Sequence, residues 1–203
     1  RGHPVEVLLM SHDPDHTATP QRPAMAALVL AAGGAARMSG RPKCLLEMDG
    51  EPRVRRLVGA LKAVLTGPVV VTGGHAPAVT AALQGMPATL VHHANWAQGA
   101  STSVQAGLAA LRDWPHPVLV ALADMPAIGR TELEALLQAW AKRPAAAEVL
   151  VPMVDGQRGN PVMLSAGVCE AVRTDARWPS PRDWQAAHPQ AVHRWATPMA
   201  AYR

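Results

Sequence analysis

The sequence contains no phenylalanine, and aromatic residues make up only 3% of its 203 residues. Its hydrophobic fraction is nevertheless 49%, which excludes a disordered chain and requires a core built from Ala, Val, Leu and Met. No apolar run reaches the ~18 residues that a membrane-spanning helix needs, so we expect no membrane partner. Two cysteines, Cys44 and Cys169, are too few for a disulfide framework and indicate a reduced, cytoplasmic protein.

Acidic residues are fewer than basic ones, and the formal net charge is +4. Many of the basic residues fall in the stretch 37–62. A basic patch attracts polyanions, so nucleic acid and a nucleoside triphosphate are both candidates. The sequence has no aromatic signature of RNA binding, and we therefore do not expect nucleic acid as a partner.

The first 24 residues lack the regular apolar pattern of the rest and have no signal-peptide layout. We therefore predict an N-terminal extension over 1–24 and a single domain over 25–203. Within the extension, the short run 5–10 is a candidate for an additional strand. Met25 is the expected native start, and residues 1–24 should be dispensable.

From Met25 onward, short apolar runs alternate with segments of helical periodicity. The run Ala26–Ala31, which ends in glycines, predicts a buried strand. Further strands are predicted over 69–72, 89–92, 118–123, 149–151, 162–164 and 191–195. Helices are predicted over 53–65, 77–83, 101–111 with Ser101 as N-cap, 131–141 and 166–172, and a loop or short helix over 177–189. This alternation indicates a mostly parallel sheet with helices on both faces.

Glycines and basic residues follow the first predicted strand, where ligands of an open parallel sheet bind. Gly33 and Gly34 allow the main chain to approach phosphates, and amides in such a turn form an anion cradle. Arg37 can bind phosphate oxygens through bidentate hydrogen bonds, and Lys43 can act as a point charge. The spacing matches neither a P-loop nor a dinucleotide fingerprint.

Three further groups of residues are candidates for contacts at the same edge. Asp124 follows the apolar run 118–123 and could hold Mg²⁺, although an Asp before Met-Pro also suits a turn. The polar residues that open the helix after Gly99 suit a base edge or ribose, and capping is their alternative role. The segment before the strand 162–164 is either a turn or a contact to a second substrate.

The run LAAGGAARMSGRPK at positions 30–43 closely resembles the signature L-A-A-G-x-x-x-R-M-G-x-x-K of nucleotidyltransferases of the MobA type. Four later segments resemble the same family in the expected order. They are VVTGGH at 70–75, NWAQGASTS at 95–103, DMP at 124–126 and GQRGNPV at 156–162. Together these segments cover most of residues 25–165.

The resemblance implies a three-layer α/β sandwich of the Rossmann-like nucleotidyltransferase kind. It implies transfer of a nucleoside monophosphate from a triphosphate to a phosphate of a molybdopterin-type acceptor, with release of pyrophosphate. The catalytic residues would be Arg37, Lys43 and Asp124, with Asp124 as ligand of the Mg²⁺ cofactor. The nucleotide-binding residues would be Ala31, Ala32, Gly33, Gly34, Gly73, Gly99, Ser101 and Ser103. The acceptor-binding residues would be Gly159, Asn160 and Pro161.

The A-A-G form with Pro42 before Lys43 is more similar to the cytidylyl branch of the family, so CTP is the expected triphosphate. A guanylyl- or sugar-phosphate nucleotidyltransferase is the alternative enzyme. The product would pass to a molybdoenzyme or its chaperone. Family members also carry a late D-x-D-T-P segment that supplies a second metal carboxylate, and no such segment occurs before Arg203. Either it lies beyond Arg203 or the metal site is incomplete, and the second case leaves open a non-catalytic nucleotide- or cofactor-binding module.

Overall fold

The computed structural model describes residues 24–33, 42–65 and 68–203 of the chain. The strands are β1 Ala26–Ala31, β2 Glu47–Met48, β3 Glu51–Pro52, β4 Pro68–Thr72, β5 Thr89–His92, β6 Val118–Leu122, β7 Val149–Val154, β8 Gln157–Arg158, β9 Val162–Leu164 and β10 Val192–Ala196. The α-helices are α1 Arg53–Val64, α2 Ala76–Ala82, α3 Ala100–Ala110, α4 Arg130–Ala141, α5 Ala166–Thr174 and α6 Pro181–Ala187. None of the helices in these ranges is long and apolar enough to cross a bilayer.

One mixed sheet forms the centre of the described residues, with its strands in the order β10-β7-β9-β6-β1-β4-β5 and β8 paired to β7. The pairs that β1 forms with β4 and β6 are parallel, as are β4 with β5 and β7 with β10. Strands β8 and β9 pair antiparallel to their neighbours. The predicted, mostly parallel sheet is thus confirmed. Because β1 is central, the loops after β1, β4 and β6 meet at one edge of the sheet.

Side chains of β1 alternate between the two faces of the sheet and enter two separate cores. Ala27 and Val29 pack in a core with residues of α1, α2 and α4. Ala26 and Leu28 pack in the other core with residues of α3, α5 and α6. All four side chains are buried. Helices therefore cover both faces of the sheet, and the expected three-layer sandwich is confirmed.

Helix α1 shows how the apolar spacing selects a buried face. Val54, Leu57, Val58 and Leu61 recur at the i, i+3, i+4 and i+7 positions of one helix face and are buried. Burial of each such side chain contributes roughly 1.5–3 kcal/mol to stability. The other predicted strands and helices of the described residues also form, with differences at their ends.

Two local predictions need correction or refinement. Gly99, and not Ser101, is the N-cap of α3, so the prediction for Ser101 was wrong and Ser101 lies in the first helical turn. Gly99 has a φ of 120°, which favours glycine because it has no Cβ. The segment 177–189 contains the short helix α6, and its N-cap Ser180 accepts a hydrogen bond from the N–H of Asp183 at 3.3 Å. Most of the expected extension, including the run 5–10, lies outside the described residues.

Candidate functional site

The strand that leads into the glycine loop and the strand that precedes Asp124 end at the same edge of the sheet. Leu30 of β1 pairs with Leu122 of β6 in parallel, and the N–H of Ala123 donates a hydrogen bond to the carbonyl oxygen of Leu30 at 3.1 Å. Gly33 is exposed just after β1, and Asp124 is half-buried just after β6. The parallel pairing therefore brings the start of the loop and the carboxylate together, as the sequence predicted.

The predicted nucleotide-binding alanines lie at the end of β1 with buried side chains. Ala31 and Ala32 are both 5% exposed, and their methyl groups belong to the two cores. Ala31 still pairs with Thr72 of β4, so Ala32 and Gly33 are the first residues beyond the sheet. The rest of the glycine loop, including Gly34 and Arg37, lies outside the described residues. The contacts of Gly34 and Arg37 with a triphosphate therefore stay predictions.

Lys43 lies on a short 3-10 helix, Lys43–Leu45, that packs close to the Asp124 loop. Lys43 is exposed, whereas the next residue, Cys44, is 6% exposed. Burial raises the pKa of the Cys44 thiol to about 11, and the nearby carboxylate of Asp124 adds to this effect. Cys44 belongs to the core cluster that also contains Ala123 and Met125, so the turn that carries Lys43 lies on the same side of the sheet as the residues that flank Asp124.

Close packing explains the glycine at position 73. A β-carbon there would lie 2.6 Å from Cβ of Trp96 and 2.7 Å from the carbonyl oxygen of Ala32. Such distances are far inside van der Waals contact, so a larger residue would displace the indole or the end of β1. Gly74 is covered by the same indole, and a β-carbon there would lie 2.7 Å from its Cζ2 atom. Trp96 thus packs on the loop after β4, which itself lies in close contact with the end of β1.

Hydrogen bonds fix the beginning of α3 to β4. The N–H of His93 donates to the carbonyl oxygen of Thr72 at 2.9 Å. The Thr102 hydroxyl donates to the carbonyl oxygen of Gly99 at 2.9 Å and lies 2.8 Å from Nε2 of His93. Because the hydroxyl proton is directed to Gly99, His93 acts as the donor of the second bond. His93 therefore has a structural role that orients the first turn of α3.

The serines of α3 face in two directions. Ser101 lines a cavity together with Val104. Ser103 is 3% exposed and lies one turn before Gly107, whose missing side chain lets α3 pack directly on Leu28 of β1. The fold therefore separates the two serines that the sequence assigned together to the nucleotide.

The predicted acceptor loop is held by backbone contacts. The N–H of Gly159 donates to the carbonyl oxygen of Pro152 at 2.8 Å, and the N–H of Asn160 donates to that of Tyr202 at 2.9 Å. A β-carbon at Gly159 would lie 2.5 Å from the Tyr202 oxygen. Gly159 and Pro161 are buried, whereas the half-buried Asn160 lines the same cavity as Ser101. Asn160 is thus the member of this loop that can contact a ligand through its side chain.

This cavity, which we call the acceptor cavity, has a volume of about 360 Å³ and lies between the sheet, α3 and α6. Its apolar lining consists of Leu30, Ala100, Val104, Val120, Leu122, Val162, Leu164 and Pro181. Its polar lining consists of Ser101, Arg158, Asn160, Ser180, Arg182 and Gln185. Leu122 is 38% exposed, which is unusual for a residue of a central strand and leaves apolar surface for a ligand. A second cavity of about 320 Å³ shares Arg158, Arg182 and Gln185 with the first and reaches β10.

The donor set at this edge fits a metal ion that is shared with a substrate. Within the described ranges, no group of three or more His, Cys, Asp and Glu side chains could hold a metal ion by itself. Mg²⁺ usually binds through one or two carboxylates together with substrate phosphates and water. The half-buried Asp124 suits that arrangement and does not suit an all-protein metal site.

A segment that the sequence analysis missed follows β10. Thr197-Pro198 is the single Thr-Pro pair after Asp124, and it matches the end of the family pattern D-x-D-T-P. The residues at the spacing of the two aspartates are Arg194 and Ala196, so the likeness is limited to the Thr-Pro pair and assigns neither residue a role.

Comparison with known proteins identifies the family of the chain. Residues 27–192 match the model of the MobA-like NTP transferase domain. The chain belongs to this family. The matched region contains the glycine loop, Asp124 and the acceptor loop, and it ends at residue 192, two residues before Arg194. The family resemblance that the sequence motifs indicated is thus confirmed.

Two relatives of known name differ in how much of their length corresponds to this chain. Nicotine blue oxidoreductase of Paenarthrobacter nicotinovorans is 32% identical over 160 residues, which are 74% of this chain and 75% of that protein. The bifunctional protein GlmU of Anaeromyxobacter sp. (strain K) is 36% identical over 143 residues, which are 68% of this chain. Those residues are 29% of GlmU, so the chain spans less than a third of that relative.

Solved structures show the same fold. The structure of Rv0371c from Mycobacterium tuberculosis H37Rv has a TM-score of 0.70, with 22% identity over 87% of this chain and 89% of that chain. The manganese complex of Rv0371c has a TM-score of 0.64, with 22% identity over 85% of this chain and 88% of that chain. The described residues therefore share their Rossmann-like architecture with Rv0371c.

Proposed function

We propose that this member of the family transfers CMP from CTP to a phosphate of a molybdopterin-type acceptor. A phosphate oxygen of the acceptor attacks the α-phosphorus of CTP, the bond to the bridging oxygen of the β-phosphate breaks, and pyrophosphate leaves with the electron pair. The protein supplies no covalent group for this reaction. Positioning and charge stabilisation lower the barrier.

The observation that supports this proposal is the parallel pairing that brings the loop end of β1 and Asp124 to one edge of the sheet, with the Lys43 turn packed on the core of the same side. The exposed ammonium group of Lys43 can approach a triphosphate held beyond β1. Arg37 belongs to the same loop in sequence and would add a fork of donors to the phosphate oxygens. Together these groups offset the negative charge that gathers on the leaving pyrophosphate.

Asp124 would hold Mg²⁺ together with the phosphates of CTP. When bound, the ion neutralises phosphate charge and orients the displacement. The choice of a divalent cation is supported by the manganese complex of Rv0371c. The choice of Mg²⁺ rests on its preference for carboxylate and phosphate oxygens.

The preference for CTP rests on the size of the site and on the motif. Ala31 and Ala32 are buried next to Gly33, so their peptide groups can meet the polar edge of a base. Trp96 closes the neighbouring loop and limits the space for a purine. The N-terminal turn of α3, from Gly99 to Ser101, is the proposed contact to base and ribose, whereas Ser103 is buried and is not assigned a contact. The A-A-G sequence with Pro-Lys after it supports the same choice.

The acceptor would bind in the acceptor cavity, where Asn160 offers a side-chain amide at the wall. In this proposal, Gly159 and Pro161 shape the loop that presents Asn160. The cavity volume of about 360 Å³ is within the range of roughly 300–1,000 Å³ that small-molecule sites show. A molybdenum-bearing product would pass to a molybdoenzyme or its chaperone, and the free thiols of Cys44 and Cys169 fit the reducing cytoplasm.

The direct test is pyrophosphate release from CTP, GTP or ATP with Mg²⁺ and a molybdopterin acceptor, together with calorimetric titration of each triphosphate. We expect turnover and the tightest binding with CTP, and loss of both when Mg²⁺ is chelated. GTP binding as tight as CTP would move the chain to the guanylyl branch. An absence of triphosphate binding would contradict the enzyme and favour a module that binds only the cofactor.

A second candidate is an oxidoreductase, because the match to nicotine blue oxidoreductase spans three quarters of that protein. Reduction of nicotine blue by an added two-electron donor is the appropriate assay. Dye reduction without pyrophosphate release from any triphosphate would favour the oxidoreductase over the transferase.

A further inference from the structure

Three arginines from distant parts of the chain come together beside the acceptor cavity. Arg158 lies in β8, Arg182 in the first turn of α6 and Arg194 in β10. Arg158 and Arg182 line both cavities, and Arg194 lines the second one. We call these three residues the arginine cluster.

The arginine cluster has no acidic partner among the described residues. The ion pairs found there use other arginines, namely Arg55, Arg56, Arg112, Arg130, Arg173, Arg177 and Arg203. The nearest acidic side chain in sequence, Asp183, accepts a hydrogen bond from the Ser180 hydroxyl at 2.6 Å. All three residues are exposed, and desolvation, followed by repulsion from Arg182 and Arg194, lowers the pKa of Arg158. Like charges are thus held together without compensation.

A buried donor accompanies this excess of positive charge. Gln185 of α6 is 6% exposed and lines both cavities. Its Oε1 accepts a hydrogen bond from Nη1 of Arg158 at 2.7 Å. Because a guanidinium can only donate, this bond fixes which end of the amide is oxygen. The remaining Nε2 is buried and has no hydrogen-bond partner among the described residues, so the amide is held at this wall by its bond to Arg158.

We propose that the arginine cluster binds an oxyanion of the second substrate other than the phosphate that reacts, with Gln185 holding Arg158 in place. The acceptor cavity would hold the uncharged part of that substrate. This inference rests on the proposed transfer to a second substrate and deepens it by naming a chemical group of that substrate.

The layout of the cavities supports this proposal. The acceptor cavity extends from the arginine cluster to Leu30 and Leu122, which lie at the ends of β1 and β6 next to the Asp124 loop. A ligand anchored at the cluster therefore points its other end towards the proposed nucleotide site. Guanidinium groups match the geometry of phosphate-like oxyanions through paired hydrogen bonds. The apolar lining between the two ends suits a ring system.

Calorimetric titration with phenyl phosphate, inorganic phosphate and phenol tests the two parts of the site separately. We expect phenyl phosphate to bind most tightly, inorganic phosphate more weakly, and phenol weakest. Arg182→Gln and Arg194→Gln should each weaken phenyl phosphate binding by about ten-fold, as expected for one charge-assisted contact. Arg194→Lys should weaken phenyl phosphate binding less than Arg194→Gln does, because lysine keeps the positive charge but cannot form the paired hydrogen bonds of a guanidinium.

The affinity for CTP and the melting temperature serve as internal controls, because both variants should retain them. The matched variant Arg112→Gln removes an exposed arginine beyond the far end of α3 and should change neither ligand affinity. Arg158 is left intact because its bond to Gln185 supports the cavity wall. Phenyl phosphate affinity unchanged in both cluster variants would overturn the inference.

Two further outcomes separate this inference from the proposed function. If the cluster variants lose CTP affinity as strongly as phenyl phosphate affinity, the arginines bind the triphosphate and the inference is wrong. If the unaltered protein binds CTP but not phenyl phosphate, the inference fails and the transferase proposal stands. Cluster-dependent binding of phenyl phosphate by a protein that binds no triphosphate would support the oxyanion site and contradict the transferase.

Discussion

The two halves of the carboxyl edge of the sheet present opposite charges to a ligand. Around the ends of β1 and β6, the site consists of backbone groups and the Asp124 carboxylate. An anionic substrate can bind there only if Lys43, Arg37 or a metal ion supplies positive charge. Around β8, β10 and α6, arginines gather without an acidic partner among the described residues. The first half suits a metal-bound triphosphate, and the second suits an oxyanion bound directly.

The family match covers most of both halves. It spans residues 27–192 and includes Arg158, Asn160 and Arg182, so that only Arg194 of the arginine cluster lies beyond it. We call the part around β1, β6 and Asp124 the nucleotide half and the part around β8, β10 and α6 the acceptor half, after their proposed ligands. Both halves belong to the family domain, and they differ in the charge that they present to a ligand.

The largest expected effect is the loss of metal-dependent binding in Asp124→Asn, which keeps the side-chain shape and removes the charge. Affinity for CTP in the presence of Mg²⁺ should fall by roughly 100-fold or more, because outer-shell partners of metal sites alone contribute 10–100-fold. Titration of CTP with and without Mg²⁺ measures this change. Asp113→Asn, at an exposed turn after α3, is the matched control. An unchanged Mg²⁺ dependence would remove the metal from the nucleotide half.

The next effect concerns the basic residues of the nucleotide half. Arg37→Ala and Lys43→Ala should each reduce turnover by about one to two decades, since each removes a charge-assisted contact of roughly 1.5–3 kcal/mol. Pyrophosphate release measures turnover, and circular dichroism checks the fold. Lys142→Ala, at the far end of α4, removes a charge without reaching the site and should keep full activity. Near-normal rates in both site variants would contradict the assignment.

A smaller effect should separate the two halves kinetically. Asn160→Ala removes a neutral hydrogen-bonding group from the wall of the acceptor cavity, which is worth about 1 kcal/mol or roughly five-fold in affinity. We expect the KM for the acceptor to rise by that factor while the KM for CTP stays constant. Gln138→Ala on α4 is an exposed control. A rise confined to the KM for CTP would place Asn160 in the nucleotide half.

Much of the fold could be predicted because its signals are local. The short apolar runs that are bounded by turns predicted the first and last residues of β5 and β9 correctly. The N-cap of α3 could not be predicted by looking for a polar side chain, because Gly99 caps the helix through its backbone conformation. The 3-10 helix that carries Lys43 likewise depends on packing of Cys44, which a glycine-loop motif does not describe.

The arginine cluster illustrates the opposite case. Arg158 lies on a two-residue strand and Arg182 on a seven-residue helix, and neither element has a periodic pattern that sequence reasoning can detect. Arg194 lies in a strand whose register against β7 decides which face it presents. Their meeting is a product of chain topology. The half of the site that follows family motifs could therefore be predicted, and the half that depends on long-range contacts could not.

The smallest effect is expected at the start of the chain. A shortened protein beginning at Met25 keeps all of β1, whose amino end lies at the edge of the sheet opposite the site. The melting temperature should therefore change by less than about 2–4 °C, which corresponds to roughly 1 kcal/mol for a chain of this length. Affinities for CTP and phenyl phosphate should both be retained. A loss of several kcal/mol would show that residues 1–24 dock on the domain, and a selective loss of CTP affinity would add them to the nucleotide half.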